Sequence, residues 1–168
     1  MRNYYIITDT HFNHEDKMCT EDVGRPKDYA ERIYNSLINL REEDVLIHKG
    51  DICIGKDKEM HDKYIIPLKC KKILVKGNHD NKSNNWYLDH GWDFVCDTFT
   101  MKYEGKKILF SHIPQPWDGV SDMNIHGHLH NCGHREPARL SFNKLLSLEL
   151  HGYRAHSLSS FIHKLLKS

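Results

Sequence analysis

Tyr4-Tyr5-Ile6-Ile7-Thr8-Asp9-Thr10-His11 decides how the rest of the chain is read: an apolar run of strand character delivers a carboxylate and an imidazole at its carboxyl end. The arrangement returns three times. Val45-Leu46-Ile47 runs into Gly50-Asp51, Ile73-Leu74-Val75 into Gly77-Asn78-His79-Asp80, and Ile108-Leu109-Phe110 into Ser111-His112. A fifth polar cluster, Gly127-His128-Leu129-His130, has no such lead-in. Short apolar runs bounded by polar or turn residues are the mark of strands buried in a sheet. In open α/β sheets ligands gather at the carboxyl ends of the strands. All five clusters are therefore expected at one edge, as parts of a single two-metal site.

The segments between them alternate strand with helix. Tyr29, Ile33, Leu37 and Leu40 recur at helical spacing, which predicts a helix over 28–40 with one apolar face on the sheet. Further helices are predicted within 58–66, ending near Pro67, around 84–90, and over 158–166. Phe94 to Tyr103 and Lys107 to Phe110 read as strands joined by the turn Glu104-Gly105-Lys106, and Leu145 to Leu150 as a further strand. No internal repeat, low-complexity linker or domain boundary interrupts the chain, so a single domain over 1–168 is expected.

Composition narrows the classes of function. Lys plus Arg number 24 against 23 for Asp plus Glu, a formal charge of +1, which argues against a polyanion-binding surface. A small anionic substrate stays open, since metal ions could attract it. Mean hydropathy is -0.67 and no run reaches the about 18 apolar residues of a membrane span. The five cysteines are odd in number and lack C-x-x-C pairing, and no apolar leader precedes the first strand, so a cytoplasmic protein is expected.

Asp and Asn offer hard oxygen and His offers imidazole nitrogen, a mixture suited to Mn, Fe, Zn or Ni rather than Ca. Two such ions about 3.5–4 Å apart share a bridging carboxylate and a bridging hydroxide that attacks phosphorus at neutral pH. A histidine outside the ligand set then protonates the departing alkoxide, worth about 10²–10⁴-fold in rate.

Asp9-x-His11, Gly50-Asp51, Gly77-Asn78-His79-Asp80, His112 and Gly127-His128-x-His130, in this order, resemble the calcineurin-like metallophosphoesterases from end to end. Thr8-Asp9-Thr10-His11-Phe12-Asn13-His14, Arg25-Pro26 and Gly152-Tyr153-Arg154 look like its compact bacterial and phage branch. The resemblance implies a calcineurin-like phosphoesterase fold of class α/β, a two-sheet β-sandwich flanked by α-helices in four layers, α/β/β/α. It implies one metal on Asp9, His11 and His130, a second on Asn78, His112 and His128, and Asp51 as the bridge. Two divalent ions are expected, Mn²⁺ first, with Fe, Zn and Ni as alternatives. His79 is the implied leaving-group acid, with Asp80 or Asp51 as the carboxylate that orients it. Ile52-Cys53-Ile54 stands where many members carry an acidic residue, which is expected to loosen support of the bridge.

Other residues are weighed against plainer roles. His14 and Arg25 are candidates to contact the phosphate with Asn78, against a turn histidine and a surface ion-pair partner. His48 reads as a hydrogen-bonded structural residue, and Trp117 as a surface for base stacking. Asn131 and His134 are candidates to close the pocket, while Cys132 lacks a second cysteine at zinc-knuckle spacing. The expected activity is hydrolysis of a phosphodiester or phosphomonoester of a small substrate, nucleotides among them. A non-catalytic metal-binding or interaction module is the alternative, disfavoured because His79 and the full ligand set are present. A nuclease is disfavoured by the lack of basic surface, and a metallo-β-lactamase by the missing Asp-His continuation after His130.

Overall fold

The computed structural model describes residues 2–131 and 141–167. In chain order the elements are β1 (Tyr4–Ile7), α1 (Glu15–Met18), α2 (Tyr29–Leu37), β2 (Val45–His48), α3 (Asp57–Tyr64), β3 (Lys71–Val75), α4 (Asn84–Asp89) and β4 (Phe94–Cys96). They continue as β5 (Thr98–Tyr103), β6 (Lys106–Ser111), β7 (Met123–His126), β8 (Asn143–Leu145), α5 (Leu148–His151), β9 (His156–Ser157) and α6 (Leu158–Leu165). One sheet has the order β4-β3-β2-β1-β9, parallel except for β9. The second has the order β5-β6-β7-β8, an antiparallel hairpin continued by parallel strands.

Both faces of the first sheet are covered, which is why its strands read as unbroken apolar runs. Side chains alternate across a strand. Ile7, Leu46 and Leu74 join a core with Ile33 and Leu37 of α2 and Tyr64 of α3. Their neighbours Ile6, Ile47 and Val75 enter the layer between the sheets, against Ile108, Phe110, Ile125 and Phe161 of α6. The product is a two-sheet sandwich flanked by helices, as the resemblance implies.

Several elements differ from expectation. The stretch 94–103 is not one strand: it divides at Asp97, β4 pairing with β3 in the first sheet and β5 with β6 in the second. The chain crosses between sheets there, and a strand pattern continuous in sequence conceals the change of partner. Leu145 to Leu150 is not a strand either. β8 ends at Leu145, and α5 follows, closed by Gly152 at φ +77° in the left-handed conformation common after a helix. Leu146 and Leu148 are fully buried, so the apolar run signalled burial, not extension. The fifth cluster does have a strand, β7, hidden because Asn124 and His126 occupy buried strand positions. Asn124 is satisfied there by Ser111 and Asn143 at 2.9 and 2.8 Å. The helix expected over 28–40 is confined to 29–37, and that over 58–66 to 57–64.

Candidate metal centre

The loops after β1 and β2 are fastened side by side, Asp9 N–H to Gly50 O at 2.9 Å and His11 N–H to Asp51 O at 3.0 Å. Lys49 Nζ, fully buried, crosses between the sheets to donate to His126 O at 3.0 Å. The loops after β6 and β7 are thereby brought to the same edge, where Gly127 N–H donates to His112 O at 2.9 Å. Gly77 and Gly127 permit the closest approaches: a Cβ on Gly77 would overlap the Asp51 carboxylate, and one on Gly127 the Thr8 hydroxyl and the Asp9 carboxylate.

Strain is concentrated on the expected ligands. Asp9, His11, Asp51, His128 and His130 have φ of +50°, +45°, +56°, +70° and +49°. A non-glycine residue pays about 1–3 kcal/mol for such a conformation, and it persists only where the surroundings over-determine it. The paired loops supply that constraint, and in return they aim consecutive side chains inward.

In one half of the centre, His130 Nε2 and His11 Nε2 each stand 3.9 Å from Asp9 Oδ1. Asp9 is held by the His128 N–H at 3.0 Å and the Thr8 hydroxyl at 2.6 Å. His11 is 2% exposed and, among the described residues, neither of its ring nitrogens has a hydrogen-bond partner. Burial lowers its pKa to about 2, more than the nearby Asp51 restores, so the ring is neutral and offers a lone pair. Leaving such a polar ring buried and unpaired is costly unless something binds it.

In the other half, His112 donates from Nδ1 to Lys49 O at 2.7 Å. Its Nε2 lies 3.3 Å from Asp51 Oδ2, 3.0 Å from Asn78 Oδ1 and 3.2 Å from His128 Nδ1. Burial disfavours charge on His112, but Asp51 and Asp9 outweigh it and raise the pKa to about 9. A proton thus sits among donors that a divalent cation would take from it. Asp51 Oδ2 is also 3.6 Å from His11 Nε2, so it stands between the halves. Asp9, His11 and His130, and separately Asp51, His112 and His128, each bring ligand atoms within 4.8 Å of one another. Orphaned nitrogens, converging carboxylates and an oxygen–imidazole donor set fit divalent transition-metal ions.

The remaining candidates separate. His79 is exposed at the rim, its Nε2 3.9 Å from Asp51 Oδ2, and its N–H donates to Asp51 Oδ1 at 2.9 Å. Asp51 is therefore its neighbouring carboxylate. Asp80, expected as a catalytic residue, is corrected: its carboxylate accepts from the N–H groups of Asp51, Gly77 and Ile52 at 2.7, 2.8 and 3.1 Å. It ties the β2 and β3 loops together and supports the bridge that the Ile52-Cys53-Ile54 departure was expected to loosen. Arg25 is corrected too. Its side chain is fully buried under the centre, bound to Glu149 at 2.7 Å and to Asp9 O at 2.8 Å, and so presents no exposed group to a substrate. His14 lies beside His11, ring centroids 5.6 Å apart, and stays at the rim. His48 has the structural role expected: Nδ1 accepts from Gly50 N–H and Nε2 meets the Thr10 hydroxyl. Trp117 is exposed and donates to Ser121 O. Cys132 and His134 lie outside the described residues.

Glu149 and Lys49 escaped the sequence reading. Glu149 Oε1 faces His130 Nδ1 at 3.0 Å, fixing the ring so that Nε2 points to the centre. Its pKa is pushed up by burial but pulled down to about 2 by His130 and Arg25. No local pattern marks it, being one carboxylate in the apolar Leu148-Glu149-Leu150 turn. Lys49 does carry a signal, a lysine at the end of an apolar strand, and burial lowers its pKa to about 7.

A centre of this donor set at the strand ends of a two-sheet sandwich defines an α/β fold with a candidate two-metal site. The calcineurin-like phosphoesterase family model matches residues 3–155, and the chain belongs to that family. It is similar to the uncharacterized protein MJ1445 of Methanocaldococcus jannaschii, 28% identical, over 96% of this chain and 90% of that one. The crystal structure of AQ665, a protein of unknown function from Aquifex aeolicus, superposes with a TM-score of 0.73 at 25% identity, covering 98% of this chain and all of that one. Among the described residues no helix is long and apolar enough to cross a membrane.

Proposed function

We propose that the protein hydrolyses a phosphate ester of a small substrate, a diester in preference to a monoester, using two divalent ions. Asp9, His11 and His130 would hold one ion and Asn78, His112 and His128 the other, with Asp51 shared. Bound there, the ions supply positive charge for the phosphoryl oxygens and lower the pKa of water toward neutrality. The observation that carries this reading is His11, neutral, buried between two carboxylates and without a hydrogen-bond partner among the described residues.

The residues divide the remaining work. As the oxygen of a water that has released a proton to solvent bonds to phosphorus, the bond to the leaving oxygen breaks, and His79 Nε2 donates the proton that the departing alkoxide needs and is reprotonated from solvent. Its backbone N–H to Asp51 keeps that nitrogen at the rim of the centre. Glu149 and Arg25 keep His130 turned inward, and Asp80 keeps the β2 and β3 loops in register. His14 stands where it can meet a phosphoryl oxygen.

Mn²⁺ is the first ion to supply, with Zn²⁺, Ni²⁺ and Fe²⁺ beside it. Hydrolysis of bis(p-nitrophenyl) phosphate that a chelator abolishes and one of these ions restores is the expected result. Turnover indifferent to chelator, or none of any mono- or diester with any of the four ions, would overturn the reading.

A further inference from the structure

Two hollows share Asn78 in their linings. The first, about 230 Å³, is walled by His79 with Cys53, Asn81 and Lys82. The second, about 260 Å³, runs from Asn78 and His112 to Asp97, Thr98, Ile113 and Gln115. His79 lines only the first. On the proposed reaction, on which this inference rests, the leaving group must occupy the hollow that carries the acid. The second hollow is then left for the substituent that stays on phosphorus.

Its lining sets a cation, Lys76, against a carboxylate, Asp97. Asp97 stands where the chain crosses from β4 to β5, and its carboxylate has no hydrogen bond or ion pair among the described residues. Gln115 gives one side-chain N–H to Ile113 O at 3.1 Å, which leaves its other N–H to donate and its side-chain carbonyl to accept. The Ser111 hydroxyl is engaged with Ile113 O and Asn124, whereas the Lys76 ammonium gives one of its three N–H groups to Lys82 O at 3.0 Å and keeps its charge at the wall of the hollow. What faces the hollow is a carboxylate and an ammonium of opposite charge, an amide and the Thr98 hydroxyl beside the apolar Ile113. Donors and acceptors without net charge suit a neutral group rich in hydroxyls and give a second phosphate no surplus of positive charge to meet.

We infer that the Asp97–Gln115 hollow is the subsite for the retained arm of a phosphodiester, and that this arm is a neutral, hydroxyl-bearing group such as the sugar of a nucleoside. Recognition belongs to binding rather than to the chemical step. Asp97 and Gln115 contact an unreacting part of the substrate, so their loss raises KM more than it lowers kcat.

The test compares two diesters with one leaving group, uridine 5′-(p-nitrophenyl phosphate) and methyl p-nitrophenyl phosphate, on the Mn²⁺-loaded full chain. The expected wild-type kcat/KM favours the uridine ester at least about tenfold, and Asp97→Ala and Gln115→Ala each remove most of that preference through KM. Circular dichroism and metal content of each variant verify that fold and centre are intact. A uridine-to-methyl ratio equal in wild type and both variants would overturn the subsite while leaving the phosphoesterase reading standing. Hydrolysis of neither ester by the wild type, with or without metal, would instead overturn that reading, and the subsite with it.

Discussion

The two halves of the centre use the same kinds of ligand but are supported in different ways. Around Asp9, His11 and His130 the support is ionic and deep: Arg25 and Glu149, with side-chain exposures of 0% and 5%, link the loop before α2 to α5 beneath His130. Around Asn78, His112 and His128 it is made of backbone, chiefly Lys49 O under His112, and the half opens on the two hollows. Charged support in low dielectric holds an imidazole firmly, whereas an exposed amide such as Asn78 can exchange a metal contact for a substrate contact. On the proposed reading the first half is suited to holding its ion and the second, beside both hollows, to admitting substrate.

Asp51 belongs to both halves, and removing its charge is expected to have the largest effect. Asp51→Asn should lower metal stoichiometry at both positions and cut kcat/KM by well over the about 10–100-fold that a supporting residue costs. Metal analysis by mass spectrometry with steady-state kinetics checks it; a variant keeping two ions and full activity would show that the halves share nothing. His79→Ala comes next. It should leave both ions in place, lower turnover of esters with alkyl leaving groups by about 10²–10⁴-fold, and affect nitrophenyl esters much less, since they need no proton. Equal loss on both kinds of ester would remove His79 from the acid role.

The smallest effect separates the halves most cleanly. Glu149→Gln should weaken metal binding by about 10–100-fold at one position and leave the other near wild type. Calorimetric titration resolving one weakened and one unchanged site would sharpen the contrast, and parallel weakening of both would erase it. The same carboxylate gives the metal-free protein a pH signature. Its pKa is about 2 in the fold, below the ordinary value of 4.5, so its contribution to stability is complete above that value and fades as pH falls toward 2. Urea melts of the metal-free chain should lose stability across that window more steeply than melts of Glu149→Gln; parallel curves would count against the buried pair.

The site was legible in the sequence to the extent that it lies at strand ends. Asp9, His11, Asp51, Asn78, His112, His128 and His130 could be picked out because apolar runs deliver four of the clusters and glycines mark the close approaches. What lies beneath them could not. Arg25 looked like a group for substrate because a sequence does not reveal that Glu149, 124 positions away, absorbs its charge. Asp80 looked catalytic because it adjoins His79, yet the turn directs the two side chains apart, one to the rim and one to the backbone of the β2 loop. In the fold, the split at Asp97 and the short α5 were hidden for a related reason, since hydrophobicity reports burial but not which sheet or which element does the burying.

Anomalous diffraction from crystals soaked in Mn²⁺ tests the central claim most directly. The account predicts two peaks, one among Asp9, His11 and His130 and one among Asn78, His112 and His128, with the Asp51 carboxylate between them. Peaks elsewhere, or none at a Mn²⁺ concentration that supports full activity, would contradict it.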